Sequence, residues 1–146
     1  MNANANAPSP HVACLMRLYG TIGQGDIPSL VRELSPDMRW HIMGAPYLPQ
    51  AGEYTPDTLG QFFQALSTAF VFTAFDVQDF IERGDDVIVL GTSAGVARAT
   101  GNAWHTQWIN HWKFAGAGGK PCYFQDYIDT ANAAAALEQL PALAGL

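Results

Sequence analysis

Charge is what this sequence has least of. Only 14% of its 146 residues are Asp, Glu, Lys or Arg, against about 25% in an ordinary soluble domain. Seven basic residues (Arg17, Arg32, Arg39, Arg83, Arg98, Lys113 and Lys120) are scattered, and the net charge is −6. Without a basic cluster there is no electrostatic footprint for nucleic acid, and an anionic membrane is an equally poor partner. Cysteine is scarce too. Cys14 and Cys122 form no C-x-x-C pair. They read either as free thiols in a reducing compartment or as a nucleophile, which would need a histidine beside it. No apolar run approaches the ~18 residues of a membrane-spanning helix.

Other absences narrow the chemistry. The four histidines, at 11, 41, 105 and 111, make no metal pattern. His105 and His111 share a strand face but lie roughly 20 Å apart along it, so no metal is expected. There is no G-x-G-x-x-G, Walker or G-x-S-x-G motif, and no organic cofactor is expected. "GAGG" at 116–119 opens no helix and reads as a hairpin turn. "MNANANAPSP" lacks the basic start and apolar stretch of a signal peptide. The expected organisation is a lead-in over 1–10, one domain over 11–140 and a tail over 141–146, in a cytoplasmic protein.

Apolar and aromatic residues are plentiful, at 49% and 12%. Val12, Leu15, Met16, Tyr19 and Ile22 recur at helical spacing, which predicts a helix over 10–23 ended by Gly23 and Gly25. Asp26 then caps a short helix with Leu30, Val31 and Leu34 inward. "MRWHIM" (38–43) predicts a strand, and "GAPYLPQAGEYTP" a loop. Thr55-Pro56 starts a third helix, whose stripe is Leu59, Phe62, Phe63, Leu66 and Phe70. Strands follow over about 74–82, 86–98, 103–114 and 121–129, separated by "RGD", "ATGN" and "AGAGGK". "ANAAAALEQL" closes the chain as a helix. Helices first and adjacent strands last imply an α+β fold. Three helices from the N-terminal half pack on the concave face of a curved antiparallel sheet, making a cone open at one end.

In "HTQWINHWKF" (105–114) alternate residues share a face. One face carries Thr106, Trp108, Asn110, Trp112 and Phe114, the other His105, Gln107, Ile109, His111 and Lys113. The first set is the more apolar and points inward. Asn110 is then an amide on an apolar wall, where an unpartnered polar group costs about 1–3 kcal/mol. Its partner is a neighbouring side chain, a trapped water or a ligand.

Several segments together resemble the nuclear transport factor 2-like superfamily, and within it the SnoaL-like polyketide cyclases and ketosteroid isomerases. "LYGTIGQGDIPSLVREL" is similar to the first two helices and their Gly-Asp break. "MRWHIMGAP…GEYTPDTLGQFFQAL" is similar to the first strand, substrate loop and third helix. "FIERGDDVIVLGTSAGVARATGNAWHTQWINHWKF" resembles the central hairpin, and "YFQDYIDTANAAAAL" the last strand and closing helix. The resemblance covers about residues 12–138 and implies a small-molecule cavity. The superfamily includes isomerases, cyclases, dehydratases, hydrolases and noncatalytic binding modules.

The resemblance also suggests roles. His41, aligned on Gly44, falls where the isomerases place an Asp proton shuttle, and an imidazole can serve as a base near neutral pH. The alternative is a structural histidine at a strand end. Asn110 falls where those isomerases keep a protonated acid as oxyanion donor. The amide departs from that pattern and argues against steroid isomerase activity itself. Tyr19, one position off the family's helix tyrosine, is either a donor or a core aromatic. Asp129, in the Tyr-x-Asp of Tyr127 and Asp129, is either a helix cap or a catalytic carboxylate. Asp126 falls on the opposite face from Asp129 and is expected in solvent. Trp40, Phe62, Phe63, Trp108, Trp112 and Tyr127 are the expected walls for an apolar, aromatic or polycyclic ligand. Arg98 has no Asp two residues away, so the Asp-Arg-Asp arrangement of the fold's epoxide hydrolases is absent.

Two readings of function result. One is a cofactor-independent enzyme that moves a proton α to a carbonyl, with His41 as base and Asn110 as oxyanion donor. The other is a noncatalytic ligand-binding or dimeric assembly module of the same fold. In either case a homodimer through the outer sheet face, around Ile109, is expected.

Overall fold

A computed structural model describes residues 7–115 and 119–139. Residues 1–6, 116–118 and 140–146 lie outside the described residues, and with them most of the expected lead-in, the turn expected at 116–119 and the expected tail. The elements run α1 (Pro10–Gly23), α2 (Ile27–Glu33), β1 (Arg39–Ile42), β2 (Gly52–Tyr54), α3 (Leu59–Ala69), β3 (Phe70–Arg83), β4 (Asp86–Ala97), β5 (Ala103–Phe114), β6 (Pro121–Tyr127) and α4 (Thr130–Ala136). The α+β fold class stands: one curved sheet, in the order β2-β1-β6-β5-β4-β3, carries the helices.

Local chemistry sets the helix boundaries. Ser9 Oγ accepts from the Val12 N–H, and Pro10 starts α1 where a missing donor does no harm. Asp26 caps α2 through the Ser29 N–H at 3.1 Å. Leu15 and Leu18 of α1, Leu30 of α2, and Leu59 and Phe62 of α3 meet Trp40, Val87, Val89, Trp108, Trp112 and Phe124 from the sheet in one core. Leu18, rather than Met16, carries α1 into that core, and Met16 is half exposed.

Four expectations are corrected. The loop after β1 contains a strand, β2, which pairs antiparallel with β1 through Trp40 and Tyr54. The sheet is mixed, because β1 runs parallel to β6. Finally, α3 starts at Leu59: a turn precedes it, closed by the Thr58 N–H on the Thr55 carbonyl. The same helix runs directly into β3, so Phe70 begins a strand that sequence periodicity placed at residue 74.

The sheet's curvature has an identifiable source. The register of β3 against β4 slips between Phe72 and Ala74, and again between Val77 and Asp79. The residues paired beside these bulges are Gly95, opposite Phe72, and Gly91, opposite Val77. A bulge bends a strand, and a glycine lets a neighbouring backbone approach. A Cβ on Gly95 would lie 1.9 Å from the Val71 carbonyl oxygen, and one on Gly91 would lie 2.4 Å from that of Asp76. The Gly91 Cβ would also meet the Trp108 ring at 2.1 Å. Bare backbone at these positions therefore lets β3 fold over β4 and lets an indole lie flat on the sheet.

Gly91→Ala is expected to destabilise the fold by roughly 1–3 kcal/mol through overpacking. Urea unfolding followed by tryptophan fluorescence measures this. A midpoint equal to wild type would show that neither backbone nor indole needs the space.

Candidate functional site

Between the helices and the concave sheet lies a cavity of about 130 Å³. Trp40, Phe62, Phe63, Trp108 and Trp112, five of the six expected wall residues, line it. Trp40 stacks on Phe124 at 3.9 Å between ring centroids. Trp108 stacks against Phe75 at 5.0 Å.

Three polar side chains meet on this apolar wall: Tyr19 from α1, Asn110 from β5 and Asp126 from β6. Asn110 and Asp126 are directly opposed in the β5–β6 register, so their side chains share a face. Asn110 Nδ2 donates to Asp126 Oδ1 at 2.7 Å. Tyr19 donates its hydroxyl proton to Asn110 Oδ1 at 2.7 Å, and accepts from Trp112 Nε1–H at 3.0 Å. One group dictates the direction of the whole chain. An indole N–H can only donate, so the Tyr19 oxygen accepts and its single proton goes to Asn110. Asn110 must then turn its carbonyl to Tyr19 and its NH₂ to Asp126. The chain ends on a carboxyl oxygen that receives a hydrogen bond.

Asp126 as a residue keeps some accessible surface, but its carboxyl is set deep. Burial pushes its pKa up to about 7, against the downward pull of the Asn110 amide and the Tyr127 backbone N–H. The carboxyl therefore titrates near neutrality, which suits proton transfer. Burial raises the Tyr19 phenol well above its ordinary value, aided by the nearby Asp126 charge and opposed by the Trp112 hydrogen bond, so the phenol stays protonated.

Four further buried polar atoms have no hydrogen-bond partner among the described residues: Nε1 of Trp40, Trp104 and Trp108, and Oε1 of Gln50. All four side chains line this cavity. Each such atom costs on the order of 1–3 kcal/mol, so their concentration around one void marks a wall that is short of partners.

Several candidates are corrected. His41 does not face the cavity. The alternation in β1 buries Trp40 and Ile42 and turns His41 to the other side, where Nδ1 lies 3.6 Å from Glu53 Oε2 and the ring 5.2 Å from that of Tyr123. It cannot share a ligand with Asn110. Tyr127 is 44% exposed and lines no part of the cavity. Asp129 is exposed and caps α4, accepting from the Asn132 N–H at 3.0 Å. Asp126, expected in solvent, is the carboxylate that belongs to the site. Its parity was legible: Phe124, Asp126 and Ile128 alternate, and the two apolar members mark the inner face. Cys14 and Cys122 are free and half-buried, and neither lines the cavity. Among the described residues no group of His, Cys, Asp or Glu is placed to hold a metal ion, and no helix is long and apolar enough to cross a membrane.

The curved, unclosed sheet roofed by helices is the architecture of the nuclear transport factor 2-like class. Within it, the chain belongs to the SnoaL-like domain family, which matches residues 15–122. Solved structures agree. A nuclear transport factor 2-like protein from Burkholderia thailandensis is 23% identical, with a TM-score of 0.76 over 88% of this chain and 96% of that one. Another from Burkholderia pseudomallei, described as of unknown function, is 26% identical, with a TM-score of 0.74 over 85% and 94%. TerC, co-crystallised with polyporic acid, is 22% identical, with a TM-score of 0.77 over 89% and 99%. No curated protein matches the chain in sequence.

The raised Asp126 pKa makes stability depend on pH. The unfolded chain releases this proton near pH 3.8 and the folded chain near 7, so between these values the native state holds the extra proton. Stability then falls as pH rises, by up to about 4 kcal/mol. Asp126→Asn keeps an acceptor for Asn110 and removes the titration. Its melting temperature should exceed that of wild type by more at pH 8 than at pH 5. A pH-independent difference in thermal scans would place the carboxyl in solvent.

Proposed function

We propose that the protein is a small-molecule pocket enzyme that moves a proton α to a carbonyl on a largely apolar compound, with Asp126 as the acid–base group. The observation that carries this reading is a carboxyl titrating near neutrality, set beside an oriented amide in an otherwise aromatic cavity. As a carboxylate, Asp126 takes the proton from the carbon next to the carbonyl, and the electron pair moves onto the carbonyl oxygen. The second N–H of Asn110 and an unpaired indole N–H are the donors for that oxygen. Returning the proton to a different atom completes an isomerisation; returning it after bond formation completes a cyclisation. The scheme calls on no metal and no organic cofactor. Trp112 and Tyr19 act as positioning residues by holding the amide in its working orientation. The co-crystallisation of TerC with polyporic acid supports small-molecule binding by this fold.

The test needs no native substrate. Deuterium uptake at the α-carbon of 2-tetralone in D₂O, followed by proton NMR, reports proton abstraction directly. Catalysed exchange should rise through a midpoint near pH 7, as the base ionises. It should fall by about 10²-fold or more in Asp126→Asn, and also in Asn110→Leu. Exchange that survives Asp126→Asn removes the base assignment.

A homodimer through the outer sheet face belongs to the same proposal. Ile81 and Ile109 are exposed there, beside half-buried Ile88 and Leu90. Sedimentation velocity should give a dimer at micromolar concentration and a monomer for Ile109→Asp; a wild-type monomer contradicts it.

A further inference from the structure

The acid–base cavity adjoins a second, wider space. A groove of about 1060 Å³ runs between α1, α3 and β3 and shares Tyr19, Phe63, Phe72 and Phe75 with the cavity wall. Its other lining is almost entirely apolar or glycine. Met16, Phe72 and Phe75 are exposed on it at 49%, 39% and 46%. Large aromatics left half in water along a continuous trough are the usual mark of a binding surface. One lining side chain carries charge: Arg98, at the end of β4. In a chain of net charge −6, a cation at the edge of a greasy trough is chemically specific. Arg98 is anchored rather than free to wander. Its Nε donates to the Ser67 carbonyl at 2.6 Å and its backbone N–H to that of Ala69. The described residues offer its two Nη atoms no acid within ion-pairing distance, whereas Arg17 and Arg39 each have a glutamate.

We propose that the groove binds the outer part of an elongated amphipathic ligand whose distal end is anionic, with Arg98 pairing that end. The apolar body lies along Phe72 and Phe75, and the proximal end enters the cavity. Cavity and groove are then one site with two ends, proton transfer at the inner and anion recognition at the outer. A guanidinium already held through Nε presents its remaining N–H groups as a fork suited to a carboxylate. The proposal extends the pocket reading but does not depend on Asp126 acting as a base.

Three probes with one body and different heads test it: 6-phenylhexanoate, 6-phenylhexan-1-ol and 6-phenylhexylamine, titrated against the full chain by tryptophan fluorescence. The carboxylate should bind about fivefold tighter than the alcohol, the range of a solvent-exposed pair. The amine should bind more weakly than either, and the preference should shrink with added salt. Arg98→Gln should equalise carboxylate and alcohol while leaving alcohol affinity unchanged, and Arg98→Lys should retain part of the preference. Lys also keeps the test alive if the Gln variant loses the Ser67 contact and unfolds. Equal affinities in wild type, a preference that survives in Arg98→Gln, or no binding of any probe overturns the proposal. So does sedimentation showing that a second copy covers the groove, with assembly lost in Phe75→Ser and no carboxylate preference. The proton-transfer reading fails separately, through deuterium exchange that persists in Asp126→Asn.

Discussion

The Trp112 indole has one proton to give and nothing to accept with, and the polar site is ordered by that limitation. Because Trp112 donates to Tyr19, Tyr19 must donate onward, Asn110 must present its carbonyl, and its NH₂ must face Asp126. An isolated asparagine could turn its amide either way, and an isolated tyrosine could donate or accept. Linked to a donor-only group, both have a single orientation. The outcome is a carboxyl that accepts a hydrogen bond in the resting state and is poised near neutrality by its burial.

That arrangement requires room, and the room comes from residues with no side chain. Gly91 and Gly95 sit beside two bulges in β3, and the missing Cβ atoms let the edge strand curl over its neighbour. The sheet becomes concave enough to leave a void beneath the helices. The same bend leaves Phe72 and Phe75 between the cavity and the open trough, where they form part of both. Curvature therefore determines both the depth of the cavity and the exposure of the groove beside it.

Much of the architecture was readable from local patterns. The helix cap at Asp26, the turns at Gly84 and Gly101, and strict alternation in β5 all depend on a few neighbouring residues. The inward set Trp108, Asn110 and Trp112 follows from alternation and the more apolar character of that face. Elsewhere alternation settled which residues share a face but not which face is inner. On β6 the Tyr-x-Asp of Tyr127 and Asp129 pointed to one set as the pocket, yet Phe124 and Ile128 place Asp126 inside. His41 illustrates the same difficulty on a four-residue strand: Trp40 and Ile42 take the inside and the imidazole turns out. The pairing of β1 with β6 is parallel and joins residues more than eighty positions apart, so no local signal announces it.

The sequence by itself determined the kind of object this is: an apolar α+β domain with helices first, a long antiparallel hairpin system and an amide on an aromatic wall. These follow from periodicity, capping and composition, which act over a few residues. Tertiary structure alone decided which acid meets that amide, because the β5–β6 register brings Asn110 and Asp126 together across sixteen residues of chain. It also decided that Tyr19, one position off the family's helix tyrosine, reaches the cluster. Hydrogen bonds and burial act through space, and the pKa of a carboxyl depends on what surrounds it rather than on what precedes it.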